Sequence, residues 1–152
     1  MMTVSTTAPA TVPFQTTIHV RDTCLCLHVQ RAARALGRRF DAVLKPSGLT
    51  NGQFSLLMSL NRPQPAPMAS VANLLAMDRT TLTAALKPLE RKGLLRSEAN
   101  PNDRRSRLLS LTAEGHAALQ AALPLWTQAH EELEKSLESA TDLRSGLMAL
   151  SR

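Results

Sequence analysis

The sequence predicts a mainly α-helical protein with one small β-hairpin. Two short amphipathic patterns, Met68–Leu75 and the segment from Asp78 to Gly93, are separated only by Ala76 and Met77. Two short helices across a tight turn form a helix-turn-helix. Two strand-like segments come directly after Gly93, as in a hairpin attached to that unit. Long apolar stripes at both ends of the chain predict flanking helices, which completes a winged helix-turn-helix architecture.

The N-terminal part divides into an arm and a long helix. Residues 1–17 are rich in Thr, Ala, Pro and Ser without an apolar period, so we expect a flexible arm. From Asp22 to about Lys45, apolar residues recur at steps of three and four, as on one face of a helix. This stripe consists of Leu25, Val29, Ala32, Leu36, Phe40 and Val43. Pro46 and Gly48 end the helix.

A capping box opens the next helix. Thr50 is followed three residues later by Gln53, the spacing at which the two side chains bond each other's backbone N–H groups. We expect this helix to reach about Leu60 and to bury Phe54, Leu57 and Met58. Residues 61–67 contain three prolines, which predicts a loop.

The helix-turn-helix offers a core-facing side on each of its helices. The first helix presents Val71, Leu74 and Leu75, and the second presents Leu82, Leu86 and Leu89. Asp78 is an N-cap residue for the second helix. Gly93 stands where a helix needs a left-handed residue to end. Pro88 is expected to kink the second helix or to tighten its last turn.

The hairpin carries positive charge at its tip. Its predicted strands are 94–98 and 106–111, and the connecting segment 99–105 combines turn-forming residues with Arg104 and Arg105. Arginines on such a tip fit a minor groove, where the negative potential is strong. Asp103 could hold an arginine by a charged hydrogen bond. The alternative is an exposed polar turn without a function.

The C-terminal part predicts a second chain as partner. Thr112 caps a long helix whose apolar stripe repeats at steps of four and three, through Leu119, Leu123, Trp126, His130, Leu133 and Leu137. A short helix from about Asp142 to Leu150 follows. Exposure of this stripe would cost roughly 1.5–3 kcal/mol for each large apolar side chain, and one small lobe cannot cover it. A homodimer interface therefore includes Leu25, Val29, Leu123, Trp126, Leu133 and Leu137.

Charge is segregated along the chain. The net charge is +6, and residues 78–107 hold eight basic and four acidic side chains, whereas residues 108–142 hold one basic and six acidic. A basic surface favours a polyanion, first nucleic acid and then an anionic membrane. The chain shows no apolar run long enough to span a membrane, and its first residues do not resemble a secretory signal. We therefore expect a cytoplasmic protein that does not bind membranes.

The second helix of the helix-turn-helix has the side chains of a recognition helix. Arg79, Thr83 and Lys87 recur at steps of four on a face away from its leucines, and Thr80 and Thr81 lie near its start. Short hydroxyls and cations are the groups that reach base edges and phosphates in the major groove. An ordinary amphipathic surface helix is the alternative, because many such helices expose Thr and Lys.

The motifs together resemble the MarR family of dimeric winged-helix transcriptional regulators. The resemblance rests on DRTT at 78–81, LERKGL at 89–94, DRR at 103–105 and LTAEG at 111–115, and it covers about residues 22–139. It implies an obligate homodimer with two lobes on a palindromic double-stranded DNA. It also implies that Arg79, Thr80, Thr81, Thr83 and Lys87 face the major groove, that Arg105 reads the minor groove and that Asp103 orients the wing. Ala76 departs from the glycine usual in the family's turn, so a slightly strained or differently shaped turn is expected.

The resemblance also suggests domain limits and an effector. We divide the chain into an arm (1–17), an N-terminal dimerisation helix (18–47), a winged helix-turn-helix lobe (48–112) and C-terminal dimerisation helices (113–152). The family implies a small-molecule effector, such as an aromatic or phenolic acid, in a crevice between the dimer base and each lobe. The best hypothesis is thus a homodimeric DNA-binding regulator, most simply a repressor that an effector releases from its operator.

Two further hypotheses stay open. Cys24 and Cys26 lie near the start of a helix and close to Arg21, a setting that lowers a thiol pKa and suits a redox sensor. On one helix they would point apart and could not bridge, and the simpler interpretation is two small apolar residues at the dimer base. A winged-helix module for protein interaction is the other hypothesis. The sequence shows no catalytic or phosphate-binding motif and no metal-ligand spacing, so we assign no enzyme activity, cofactor or metal.

Overall fold

The computed structural model describes residues 10–152 and divides the chain into two compact units. One unit ends at Leu36 and the other comprises Gly37–Arg152. Within the described residues no helix is both long and apolar enough to cross a membrane. The first unit contains α1, Phe14–Thr23, and most of α2, Leu25–Leu44.

The N-terminal region is more helical than the sequence suggests. Residues 14–17, which the sequence assigns to the flexible arm, form the first turn of α1, whereas residues 1–9 of that arm lie outside the described residues. The helix begins directly after its N-cap residue, Pro13, which is extended with φ of −60° and ψ of 142°. The proline ring fixes φ near this value. The helix ends at Cys24, where the backbone is extended. Helix α2 confirms the helix predicted from Asp22 to about Lys45, whereas the separate helix α1 before it lies partly in the predicted arm.

In the second unit, α3 spans Asn51–Ser59 and confirms the capping box. The Thr50 hydroxyl accepts the Gln53 N–H at 3.2 Å, and the Gln53 side-chain oxygen accepts the Thr50 N–H at 3.1 Å. Asp41 at the end of α2 accepts two further hydrogen bonds from Asn51, both of 2.8 Å. These bonds hold the pKa of Asp41 below its ordinary value. They also tie the start of α3 to α2.

Three sequence predictions within residues 58–74 are wrong. Residues 66–67 form a short strand, β1, rather than loop, because Ala66 pairs with Leu109 of the wing. Met58 and Leu74, which the apolar period places in the core, remain 38% and 65% exposed. Periodicity identifies the apolar side of a helix, but it does not show whether a neighbouring element covers all of that side.

The turn of the helix-turn-helix contains a left-handed alanine. Helix α4 spans Met68–Leu75 and α5 spans Arg79–Arg91. Ala76 has φ of 51°, and the Met77 N–H bonds back to Ala72 as in a Schellman turn. A Cβ in this conformation costs roughly 1–2 kcal/mol. The strained turn expected from the missing glycine is therefore present.

The wing is an antiparallel hairpin that grows directly from the end of α5. Gly93, with φ of 71°, ends the helix as predicted. Strands β2, Leu95–Asn100, and β3, Asp103–Leu111, then pair, and β1 completes a sheet of order β1-β3-β2. The strands are longer than predicted, so only Pro101 and Asn102 remain as the tip. Arg104 and Arg105 accordingly lie on β3, near that tip.

Two helices complete the second unit. Helix α6 spans Ala113–Lys135 with Thr112 as its N-cap, and α7 spans Ala140–Leu150. Most buried side chains of the unit belong to one core under the helix-turn-helix and the sheet, centred on Leu44, Leu57, Leu82, Leu89 and Leu109. Leu82, Leu86 and Leu89 are buried as predicted.

The predicted continuous stripe along residues 119–137 is broken in the structure. Leu119 is buried in the core of its own chain. Leu137 lies beyond the C-terminal end of α6, so it does not share a helix with the other five residues. The interpretation of a single coiled-coil seam is therefore wrong.

Candidate nucleic-acid interface

Helix α5 begins at a strongly bonded cap. The Asp78 carboxylate accepts the Thr81 N–H at 2.7 Å and the Thr81 hydroxyl at 2.9 Å. The bonds from Thr81 hold the pKa of Asp78 below its ordinary value, so the cap stays charged at neutral pH. The Thr81 hydroxyl proton serves this cap and is not available to a DNA base.

The outward face of α5 carries the remaining predicted side chains. Thr80, Thr83 and Lys87 are exposed while the leucines of the helix are buried beneath them. The Thr83 hydroxyl donates to the Arg79 carbonyl at 2.8 Å. Its proton is therefore used within the helix, and the outward groups of Thr83 are its methyl and its oxygen lone pairs, which suit a thymine methyl or a base amino group.

The wing presents its two predicted arginines, but Asp103 acts differently from the expectation. Arg104 and Arg105 are both exposed. Asp103 accepts the backbone N–H of Arg105 at 3.0 Å, so it bonds the backbone of the wing and not a guanidinium. An aspartate carboxylate readily reaches the backbone N–H two residues later, because its short side chain already lies beside that group. The carboxylate thereby shapes the wing backbone.

Arg79 joins α5 to the wing. Its Nη2 donates to the carbonyl oxygen of Arg105 at 2.7 Å. A cleft of about 350 Å³ lies beside this bond, between α4, the start of α5 and β3. The start of α5 and the wing therefore meet at one exposed surface that includes Arg79 and Arg105. Sequence reasoning placed Arg79 on this surface but did not show its bond to the wing.

Sequence reasoning missed two residues that shape the hairpin. Arg107 donates to the hydroxyl and the carbonyl of Ser97 on the opposite strand, at 2.5 and 2.8 Å. The Asn100 side chain accepts the Asn102 N–H at 3.0 Å and closes the tip. The Asn-Pro-Asn-Asp pattern signals the tip bond. Nothing in the local sequence signals the contact between residues 97 and 107.

The predicted dimer residues differ in how far their own chain covers them. Leu25, Val29, Leu123 and Leu137 are exposed, and Leu133 and Trp126 are half-buried. Trp126 stacks on Phe54 and His130, with ring centroids 5.9 and 4.5 Å apart. Trp126 is thus partly covered within its own chain, whereas the four exposed residues have apolar surface to offer a second copy.

Helix α7 is held against α6 by charge and exposes an apolar face. The Glu134 carboxylate accepts a hydrogen bond from Arg144, which holds the pKa of that carboxyl below its ordinary value. Leu143, Leu147, Met148 and Leu150 are exposed. Steps of four and three place Leu143, Leu147 and Leu150 on one side of the helix.

A groove beside Trp126 is lined mainly by apolar side chains. It has a volume of about 380 Å³ and is lined by Phe54, Ser55, Met58, Ser59, Leu74, Leu123 and Trp126. No charged side chain belongs to this described lining. The Ser59 hydroxyl donates to the Leu56 carbonyl at 2.5 Å, so its proton is already bonded. The groove touches both α4 of the helix-turn-helix and α6.

The two cysteines do not lie on one helix as expected. Cys24 stands in the extended link after α1, and Cys26 is in the first turn of α2. The argument that they point apart on a common helix therefore does not apply. Cys24 is half-buried and Cys26 is exposed, and both are free thiols. A redox role for these cysteines stays the alternative to the prediction of two small apolar residues at the dimer base. Across residues 10–152, no cluster of three His, Cys, Asp or Glu side chains is arranged to hold a metal.

Comparison with known proteins identifies the family. A family model described as MarR family matches residues 49–106. The structure superposes on the transcriptional regulator MosR of Mycobacterium tuberculosis in complex with DNA with a TM-score of 0.79 and 40% identity, covering 85% of this chain and 94% of MosR. It is also similar to the transcriptional repressor CouR bound to p-coumaroyl-CoA, with a TM-score of 0.76 and 28% identity, covering 88% and 95% of the two chains.

A curated relative matches over a shorter stretch. The transcriptional regulator HosA of Escherichia coli O111:H- is 34% identical over 87 residues, which are 50% of this chain and 64% of HosA. The family match coincides with the helix-turn-helix and the wing, and MosR shares the fold over most of both chains. The chain therefore belongs to the MarR family of winged-helix, DNA-binding transcriptional regulators, and it is not an enzyme.

Proposed function

We propose that this chain acts as a homodimeric repressor that binds a palindromic operator and is released from it by a small-molecule effector. One observation carries the DNA part of the proposal. Helix α5 buries Leu82, Leu86 and Leu89 and exposes Thr83 and Lys87, while the exposed wing arginine Arg105 is bonded to its first residue. This is the arrangement that places a helix in a major groove and a wing beside the minor groove.

The dimer sets the spacing of the operator. Two recognition helices related by a two-fold axis meet major grooves one helical turn apart, roughly 34 Å. The operator is then a palindrome of about 16–20 base pairs. The solved complex of MosR with DNA supports DNA binding itself.

Substitution of a wing arginine and of a helix threonine should weaken DNA binding in two different ways. We expect Arg105→Ala to weaken binding to most sequences and to flatten the salt dependence, whose slope is about −0.9 per neutralised phosphate. Thr83→Ala should relax preference at one symmetric base position, at a cost of about 1–3 kcal/mol on the best site at most. Titrations of both variants on the selected palindrome and on scrambled DNA, at several salt concentrations, measure these effects.

The same titration has a clear negative result. If Arg105→Ala binds both DNAs like the parent with an unchanged salt slope, the hairpin has only a structural role. Both substituted side chains are exposed, so neither variant should unfold more readily than the parent.

We propose the groove beside Trp126 as the effector site. Its aromatic and aliphatic walls suit the ring of a phenolic or other aromatic compound. Because no charged side chain belongs to the described lining, an acid group of such an effector would remain at the open side. The relative CouR, which was solved with p-coumaroyl-CoA, supports an aromatic acyl compound as the first candidate. A ligand there would touch α4 and α6 together. It could therefore change the position of the helix-turn-helix relative to α6 and so the affinity for DNA.

Trp126 makes the effector proposal measurable because it is the only tryptophan of the chain. We expect saturable changes in its fluorescence with p-coumaroyl-CoA or with a member of a panel of phenolic acids, and release of DNA at the same concentrations. Leu74→Gln should weaken that binding and leave DNA affinity without ligand unchanged, since Leu74 is 65% exposed and lines the groove. DNA release without any change in Trp126 emission would place the effector elsewhere.

A further inference from the structure

Both backbone polar groups of one wing residue, Arg105, are held by side chains. The Arg105 N–H is bonded by Asp103 at 3.0 Å, and the Arg105 carbonyl is bonded by Arg79 at 2.7 Å. We propose that Arg79 is a positioning residue, which acts on DNA through Arg105 instead of reading bases itself. The inference rests on the proposed function, because its readout is DNA binding.

The strand ladder leaves Arg105 without a cross-strand partner. The register of the hairpin pairs Ala99 with Arg107 and then Asn100 with Asp103. Residues 104–106 have no Cα partner on β2 because the register shifts at that point. In such a bulge the backbone direction is not set by the ladder. The side chains of Asp103 and Arg79 therefore supply the restraint that regular pairing supplies elsewhere in the sheet.

The two restraints come from different elements, and this determines what they do. Asp103 is local and shapes the turn, whereas Arg79 is the first residue of α5 and lies 26 positions before Arg105 in the chain. The bond from Arg79 therefore fixes the position of the Arg105 carbonyl relative to the recognition helix. A guanidinium bonded to a carbonyl makes a charge-assisted bond. The Arg105 side chain consequently leaves the backbone at a fixed place beside α5.

The competing role for Arg79 is an independent contact with a phosphate or a guanine. A guanidinium has five N–H donors, so one bond to Arg105 does not exclude such a contact. The two roles differ in whether the effect of replacing Arg79 depends on the Arg105 side chain. A positioning residue loses its effect once the Arg105 side chain is gone, whereas an independent contact keeps its effect.

The experiment is a double-mutant cycle on a DNA duplex carrying the palindrome that the parent selects from a random-sequence pool. Arg79→Ala and Arg105→Ala should each weaken binding on the order of ten-fold. The double variant should also bind DNA about ten-fold more weakly than the parent, with the same salt slope as Arg105→Ala. A double variant near a hundred-fold, or one with a further loss of slope, overturns the proposal because Arg79 then contributes independently.

Arg104 provides the matched control. It is an exposed wing cation next to Arg105, and its carbonyl is not the acceptor of the Arg79 bond. In an Arg104→Ala background, Arg79→Ala should therefore keep its full ten-fold effect. Loss of that effect would mean that Arg79 stabilises the wing generally, and would overturn a specific role toward Arg105.

Substitution of Asp103 tests the second restraint, its bond with the Arg105 N–H, and the result depends on whether DNA affinity rises or falls. Removal of a negative charge beside DNA tightens binding if charge alone matters. We instead expect Asp103→Ala to weaken binding, and Asp103→Asn, which keeps an acceptor oxygen, to bind at least as tightly as the parent. Tighter binding by Asp103→Ala overturns the proposal. Asp103, Arg79 and Arg105 are exposed, so unchanged unfolding temperatures should accompany all of these results.

Failure of the proposed function would look different. A parent that binds the selected and the scrambled duplex equally refutes the palindromic operator, but the coupling between Arg79 and Arg105 can still be measured on either duplex. A parent that binds no DNA at all overturns both proposals.

Discussion

Replacement of Gly115 with alanine is expected to destabilise the protein by about 3 kcal/mol. A Cβ at this position would stand 2.0 Å from the carbonyl oxygen of Leu94 and 3.1 Å from its carbonyl carbon. Backbone atoms cannot turn aside as the end of a flexible side chain can, so the start of α6 must move away from the junction of α5 and β2. A loss of this size lowers the unfolding temperature by roughly 6–12 °C in a domain of this length.

The junction beside Gly115 explains why the effect is large. The Thr112 hydroxyl accepts the Gly115 N–H at 3.0 Å and donates to the Gly93 carbonyl at 2.6 Å. The Thr112 N–H bonds the same Leu94 oxygen that an alanine at 115 would strike, at 3.2 Å. Separation of α6 from Leu94 therefore strains the N-cap of α6 and the end of the recognition helix together.

Gly146 in α7 is the matched control for this prediction. A Cβ there would meet nothing within 4 Å. Gly146→Ala should accordingly stabilise the protein by about 0.5–1 kcal/mol, as expected for a helix interior. Thermal and urea unfolding followed by circular dichroism compares the two variants with the parent. An unfolding temperature of Gly115→Ala within 2 °C of the parent would contradict the close approach of Leu94.

Local chemistry in the sequence predicted much of this fold. The N-caps at Thr50, Asp78 and Thr112 were correctly predicted, because each bond joins a side chain to an N–H three residues away. Gly93 was also predicted correctly for a local reason, since a left-handed residue ends the helix there.

Two of the errors depend on the presence or absence of partners distant in sequence, and a third concerns a helix without buried side chains. Leu74 is apolar and in phase with the core, but no neighbouring element buries it, and it lies in a groove. Strand β1 exists because residues 66–67 pair with residues 108–109 of the wing. Helix α1 has no buried side chain, so it shows no apolar period from which a helix could be predicted.

The candidate interface shows the same division between local and distant contacts. The exposure of Thr83, Lys87 and Arg105 follows from motif and periodicity, and the structure places all three at the surface. The bond between Arg79 and the Arg105 carbonyl joins residues 26 positions apart. The sequence contains no pattern for that bond, because backbone carbonyls accept hydrogen bonds at every residue.

Leu147→Arg is expected to convert a dimer into a folded monomer that has lost most of its affinity for the palindrome. Leu143, Leu147 and Leu150 form an apolar side of α7 that their own chain leaves exposed, and burial of such side chains contributes roughly 1.5–3 kcal/mol each. In a two-fold symmetric interface every substitution occurs twice, so two unpaired cations would enter the apolar contact. The cost of burying them exceeds what the remaining leucines supply.

The choice of Leu147 separates loss of the dimer from loss of the fold. Leu147 is 41% exposed in the single chain, so arginine can extend into water there without disturbing the lobe. Ser145→Arg on the same helix is the matched control, because residues two apart lie about 200° apart around a helix. Sedimentation at micromolar concentration should give twice the 16.5 kDa chain mass for the parent and for Ser145→Arg, and the single mass for Leu147→Arg. If Leu147→Arg remains a dimer that binds the palindrome like the parent, α7 does not form the interface and the exposed residues of α2 and α6 must supply it.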